Sequence, residues 1–164
     1  MKKFVSVILG SKSDFEAMEG CVKTLKRFDV PYELIVASAH RSPKRVSAYV
    51  QSSGAAAYIC AAGMAAHLAG TVKALTIKPV IGVPIASGAL NGIDALYSTV
   101  QMPSKAPVAT VAVGGAVNAA YLAIEILALN DVVLAQKLLD ERVLTEKEVE
   151  SDSASIETLL RGGE

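Results

Sequence analysis

Hydrophobic and polar positions fall into alternating blocks along the chain. Short apolar runs of strand length recur, and each is followed by a stretch with helical spacing. Residues 5–9, 32–37, 58–61, 80–83 and 108–113 read as strands. Residues 13–28, 42–52, 65–75 and 91–100 read as the intervening helices, and 117–129 and 132–143 as two closing helices. Local signals fix some ends. Pro43 suits the first position of a helix with Ser42 as its N-cap. Ser13 followed by Glu16 reads as a capping box, and Asn91 as another N-cap. Glu33, inside the second apolar run, suits a strand at a sheet edge. From about residue 145 to 164 the pattern turns polar and predicts a frayed tail.

Strands that are apolar almost throughout are buried on both faces. Their alternation with helices implies βαβ units, hence a parallel sheet covered on both sides. Right-handed crossovers restrict the topology further. The predicted fold class is α/β, a flavodoxin-like three-layer sandwich with a five-stranded parallel sheet in the order 2-1-3-4-5. With no internal repeat, low-complexity segment or linker in the sequence, residues 1–164 are expected to form one domain, with 145–164 as its polar tail. Such sheets bind ligands beyond the carboxyl ends of their strands, where the strand order reverses. The loops at 10–14, 38–43, 63–70 and 85–91 are therefore where chemistry is expected.

Composition narrows the function classes. The chain is 52% hydrophobic with a mean hydropathy of +0.41, high for a protein in water. No uninterrupted apolar run reaches the roughly 18 residues of a membrane span, so no membrane partner is expected. The run after Met1-Lys2-Lys3 is cut short by Gly10-Ser11-Lys12-Ser13-Asp14, which argues against a secretory signal. Sixteen basic residues balance sixteen acidic ones, so nothing points to nucleic acid. Cys21 and Cys60 are far apart and expected to be reduced thiols in a cytoplasmic protein. The two histidines, His40 and His67, lack zinc-site spacing with them, so no metal is expected. The apolar excess is accounted for if helix faces pack against other copies of the chain.

Each loop has a bland reading beside its chemical one. In 10–14, glycine lets a ligand approach the backbone, and helix N-terminal amides favour a phosphate. Ser13 is accounted for by capping, leaving Ser11 for ligand and Asp14 for a sugar hydroxyl. In 38–43, His40 exchanges protons near neutral pH and Arg41 offers a fork of donors to phosphate. An isolated His-Arg pair reads more readily as a solvated loop. In 63–70, small residues allow a tight turn around a ligand, with His67 either lining the pocket or hydrogen-bonded within a helix. The loop at 85–91 reads as structural.

Taken together the loops resemble one family. GSKSD at 10–14, SAHR at 38–41, AAHL at 65–68 and LNGIDALYSTVQMP at 90–103 are similar, in order, to the AIR carboxylase and mutase family of purine biosynthesis, over roughly residues 4–130. The resemblance implies an isomerase of IMP biosynthesis that moves a carboxyl group without ATP. The carboxyl leaves the exocyclic nitrogen of 5-(carboxyamino)imidazole ribonucleotide for ring carbon 4. It implies an octamer with no metal or organic cofactor. It implies His40 as the catalytic residue and Ser11, Asp14 and Arg41 as substrate contacts, with Ser13, Ser38, Ala39, Gly63, Ala65, His67 and Leu68 as further binding positions. Where the family commonly reads GGAAHLPG, this chain reads GMAAHLAG, so Met64 and Ala69 replace glycine and proline. The AAHL form is that of the mutase branch. Direct carboxylases of the free amine carry a different polar sequence in this loop.

Other functions on the same fold fit less well. A binding module without turnover remains open from fold alone. A receiver domain would end its third strand on aspartate, where this chain has Ala61-Ala62-Gly63. A flavin carrier would want stacking aromatics, yet the chain has no tryptophan and only 5% aromatic residues.

Overall fold

The computed structural model describes residues 3–161. The chain divides into two compact units, Met1–Leu127 and Ala128–Glu164.

The first unit contains a five-stranded parallel sheet in the order β2-β1-β3-β4-β5, the flavodoxin-like arrangement expected. Its strands are β1 (Val5–Leu9), β2 (Tyr32–Val36), β3 (Ala57–Gly63), β4 (Val80–Ile85) and β5 (Ala109–Thr110). The helices between them are α1 (Phe15–Arg27), α2 (Pro43–Ser52), α3 (Leu68–Leu75) and α4 (Ile93–Val100), followed by α5 (Ala116–Ala128). Central β1 is buried at every position, and so is β4. Alternate residues of the strands serve opposite layers. Ile8, Tyr58 and Cys60 join Val46 and Val50 of α2 with Leu68, Ala69 and Val72 of α3 in one core cluster. On the other face α1 buries Met18, Cys21 and Leu25. There α1 packs against α5, with Phe28 and Tyr121 edge to face at 5.5 Å. Each fully buried aliphatic side chain contributes about 1.5–3 kcal/mol relative to exposure, so burial on both faces fixes which strands are central. Glu33 stands on edge strand β2, where its carboxylate accepts a hydrogen bond from Tyr49.

Four local expectations are corrected. The run at 108–113 yields only a two-residue strand. Gly82 and Pro84 turn their carbonyls to this side of the sheet, accepting from Val111 and Gly114. Pro84 has no N–H to return, so regular pairing stops. Asn91 does not cap α4. It lies at φ 49° and Gly92, at φ 90°, takes the cap position. The first helix opens as a one-turn 3-10 helix, Lys12–Asp14, with Ser11 as its N-cap in place of Ser13. In the second unit, α6 runs Val132–Arg161, so the segment expected to fray from residue 145 is helical through Arg161. Residues 162–164 of that segment lie outside the described residues.

The apolar excess is spread over several helices, α6 included, where Val132, Val133, Leu139 and Val143 are exposed. The alanine face of α5 is turned inward, with Ala116, Ala119, Ala120 and Ala123 buried. The exposed apolar groups of the first unit include Leu90, Ile93, Tyr97 and Val100, on α4 and just before it. Cys21 and Cys60 are free, buried thiols, and burial pushes both above the ordinary thiol range. Among the described residues no helix is long and apolar enough to cross a membrane.

Candidate active site

The loops following β1, β2, β3 and β4 meet at the carboxyl edge of the sheet, around a cleft of about 480 Å³. Strand order sets the sequence of loops along that edge. The β2 loop brings Ser38, Ala39, His40 and Arg41, and the β1 loop brings Gly10, Ser11, Ser13 and Asp14. The β3 loop brings Gly63, Met64, Ala65, His67 and Leu68, and the loop after β4 brings Ser87. Every candidate residue named from the sequence lines this cleft. Sequence reasoning did not name Gly10, Ala62 and Met64 as binding positions, and it read the loop of Ser87 as structural.

The β2 loop is held by its own side chains. Ser42 is the N-cap of α2 and Pro43 follows at the start of the helix, as the sequence predicts. The Ser42 hydroxyl, however, serves the loop. It accepts from the Ser38 N–H at 3.0 Å and donates to the Ser38 carbonyl at 3.2 Å. Ser38 in turn accepts the Arg41 N–H at 3.1 Å. These contacts present His40 and Arg41 to the cleft. One Nη of Arg41 donates to the Gly10 carbonyl at 2.8 Å, which draws the guanidinium over the β1 loop.

In the β1 loop the Asp14 carboxylate reaches back to accept the Ser11 N–H at 2.8 Å. Ser13 donates to the Ser11 hydroxyl at 3.1 Å. Burial pushes the Asp14 carboxyl above its ordinary range, and the Ser11 N–H and the positive Arg41 pull it back only in part. With the Ser11 N–H taken and a carboxylate beside it, this helix start offers a phosphate less than expected. The cation for an anionic ligand is Arg41.

The two histidines meet across the cleft. His40 Nε2 and His67 Nδ1 lie 2.9 Å apart, with ring planes at 72°. Of the two readings left open by the sequence, His67 takes the first: it lines the cleft from the N-cap position of α3, and its ring makes no capping hydrogen bond to the helix. The turn carrying it is tight, with Ala66 N–H donating to the Met64 carbonyl and His67 N–H to Ala65, both at 2.8 Å. Among the described residues no three His, Cys, Asp or Glu side chains come together as a metal-ligand group.

Met64 pays for that turn. Its φ is 54° and its side chain is largely exposed. A left-handed L-residue is strained by ~1–2 kcal/mol, while a glycine adds ~0.5–1 kcal/mol of chain entropy to lose on folding. Met64→Gly should therefore stabilise the protein by about 0.5–1 kcal/mol. Urea melts of the two proteins check this, and a lower midpoint for the glycine variant would show that the Met64 side chain holds the turn.

Known proteins resemble the chain in sequence and in fold. The family model for AIR carboxylase matches residues 4–148. The N5-carboxyaminoimidazole ribonucleotide mutase of Methanocaldococcus jannaschii is 46% identical, over 96% of this chain and 99% of that protein. The protein of the same name from Saccharolobus solfataricus is 53% identical, over 82% of this chain and 87% of that protein. A crystal structure of Treponema denticola PurE superposes with a TM-score of 0.85 at 27% identity, covering 93% of this chain and 98% of that one. By family model, relatives and fold alike, the chain belongs to the AIR carboxylase family.

Proposed function

We propose that the chain is an ATP-independent mutase of purine biosynthesis. It converts N5-carboxyaminoimidazole ribonucleotide to 4-carboxy-5-aminoimidazole ribonucleotide. The observation that carries this reading is one cleft holding an imidazole pair beside an oriented guanidinium, His40–His67 and Arg41. The names of the relatives supply the substrate.

The proposed chemistry needs one proton to leave and return. Protonated His40 gives a proton to the carbamate nitrogen as the N–C bond breaks, and carbon dioxide is released inside the cleft. Ring carbon 4 then attacks that carbon dioxide, forming the new C–C bond. The hydrogen displaced from carbon 4 passes to His40, which ends as it began. Imidazole suits both acts because it exchanges protons near neutral pH, and such help contributes roughly 10²–10⁴-fold. With Nε2 engaged by His67, Nδ1 is the nitrogen left to face the ligand. Arg41 and the Ser11 hydroxyl take the ribose phosphate, and Asp14, whose charge would repel a phosphate, accepts from a ribose hydroxyl. Small residues of the β3 loop slow the escape of carbon dioxide.

The test supplies each substrate alone and follows the carbon-carboxylated product by absorbance. The nitrogen carboxylate should turn over without ATP, and the free amine poorly at ordinary bicarbonate. Faster use of the free amine at low bicarbonate would make the chain a direct carboxylase. The AAHL sequence at 65–68 supports the mutase side of that choice.

We further propose a homo-octamer in the cytoplasm. The support for assembly is the apolar stripe of Leu90, Ile93, Tyr97 and Val100, each about half or more exposed in the single chain; the number eight comes from the family resemblance, and the compartment from the two free thiols. Light scattering at micromolar concentration should give about eight times 17.0 kDa. A clean monomer would remove the assembly and the interface argument together.

A further inference from the structure

The wall of the cleft farthest along the sheet from Arg41 holds a hydroxyl that no contact accounts for. Ser87 follows the end of β4 at Ile85 and lines the cleft. Its Oγ is buried and, among the described residues, has no hydrogen-bond partner. Buried hydroxyls are nearly always partnered, and one left over asks for a partner the free protein lacks. The adjoining strand makes room for it. Gly63 pairs with Ile85 in the sheet. A Cβ on Gly63 would stand 2.3 Å from Ser87 Oγ and 3.1 Å from the Ile85 carbonyl, so a side chain there would occupy the hydroxyl's place. Rotation of one side-chain torsion lets the hydroxyl turn toward a ligand.

We infer that Ser87 is a ligand-orienting residue, whose hydroxyl donates a hydrogen bond to the carboxylate that the reaction moves. This rests on the mutase reading above. The order of loops along the sheet edge gives the ligand its direction. Arg41 and Ser11 come from the β2 and β1 loops, His67 from the β3 loop, and Ser87 from the β4 loop. A nucleotide with its phosphate at Arg41 directs its ring toward the His40–His67 pair. The carboxylate then lies farther along, against Gly63 and Ser87. A neutral donor suits this place. The group it holds passes from carbamate through uncharged carbon dioxide to carboxylate. A fixed cation would stabilise the charged ends of that path strongly and oppose the middle, whereas a neutral hydroxyl orients the carboxylate while holding it less tightly than a cation would.

Ser87→Ala removes Oγ and keeps Cβ. Calorimetric titration of wild type and variant with 4-carboxy-5-aminoimidazole ribonucleotide and with 5-aminoimidazole ribonucleotide, beside thermal melts, tests the assignment. The variant should lose roughly tenfold or more in affinity for the carboxylated nucleotide, the range of a charge-assisted hydrogen bond. It should keep wild-type affinity for the uncarboxylated one, and its Tm should not fall, because an unpartnered hydroxyl has gone. An unchanged ratio of the two affinities would overturn the role of Ser87 and leave the mutase reading standing. Equal weakening of both ligands with a lower Tm would make Ser87 a structural residue and also overturn it. Wild type that binds neither nucleotide would sink the mutase reading, and this inference with it.

Discussion

His40→Asn is expected to lose at least a hundredfold in turnover of the nitrogen carboxylate while keeping the fold and binding the product nucleotide. The size follows from the chemistry. Without a group that gives and takes a proton, both the break at nitrogen and the loss of hydrogen from carbon 4 fall to water, and general acid–base help is worth about 10²–10⁴-fold. The fold should survive because His40 is exposed in a loop whose shape is set by Ser38 and Ser42. Binding should survive because the phosphate contact assigned to Arg41 is untouched. Asparagine can still offer His67 a hydrogen bond but cannot shuttle a proton at neutral pH, which makes it a sharper test than alanine. A variant retaining more than a tenth of wild-type turnover would remove His40 from the proton path. The next candidate would then be His67, whose Nδ1 lies 2.9 Å from His40 Nε2.

The contrast between what the sequence conveyed about this molecule and what it did not has physical causes. The central strands were legible because burial on both faces demands nearly continuous apolar runs, as in Val5–Leu9, broken only by Ser6, whose hydroxyl is paired with that of Tyr49. The fifth strand was not, because its length is limited by Pro84 on the neighbouring strand, a non-local effect that the run at 108–113 does not carry. The start of the first helix shows a different ambiguity. Ser11 and Asp14 have the same spacing as Ser13 and Glu16, so two caps compete. The structure takes the earlier one, since Asp14 bonds the Ser11 N–H. Asn91-Gly92 has the polarity of a cap followed by a helix, yet both residues take positive φ. At residues 145–161 polar composition masks helix propensity, since Glu, Lys and Leu recur there without an apolar face. In the cleft, the loops to inspect followed from topology alone. The His40–His67 contact did not, because 27 residues separate the two rings. Ser87 stayed hidden for a related reason: a serine in a small-residue loop carries no signal until Gly63 is seen beside it.

Arg41→Ala is expected to weaken binding of the product nucleotide by roughly ten- to a hundredfold, the range for a lost charge-assisted hydrogen bond of about 1.5–3 kcal/mol. The Ser11 N–H is already held by Asp14, and the carboxylate beside it repels a second anion, so the β1 loop cannot replace the lost cation. The guanidinium is also arranged in advance. One Nη is bonded to the Gly10 carbonyl and Nε faces the Ser38 hydroxyl at 3.5 Å, so ligand binding has less side-chain freedom to remove. Arg41→Lys should therefore recover only part of the loss. It restores the charge, but a lysine ammonium cannot hold Gly10 and present a planar fork to phosphate together. The stability cost of either change should be small, because the Arg41 side chain is exposed and its contacts are at the surface. Calorimetric titration with the product nucleotide at two salt concentrations separates the contributions. Wild-type affinity should fall with salt, the alanine variant should respond less, and lysine should lie between them. Unchanged affinity in Arg41→Ala would move the phosphate to another wall of the cleft, and would reverse the direction in which the nucleotide is laid along the sheet edge.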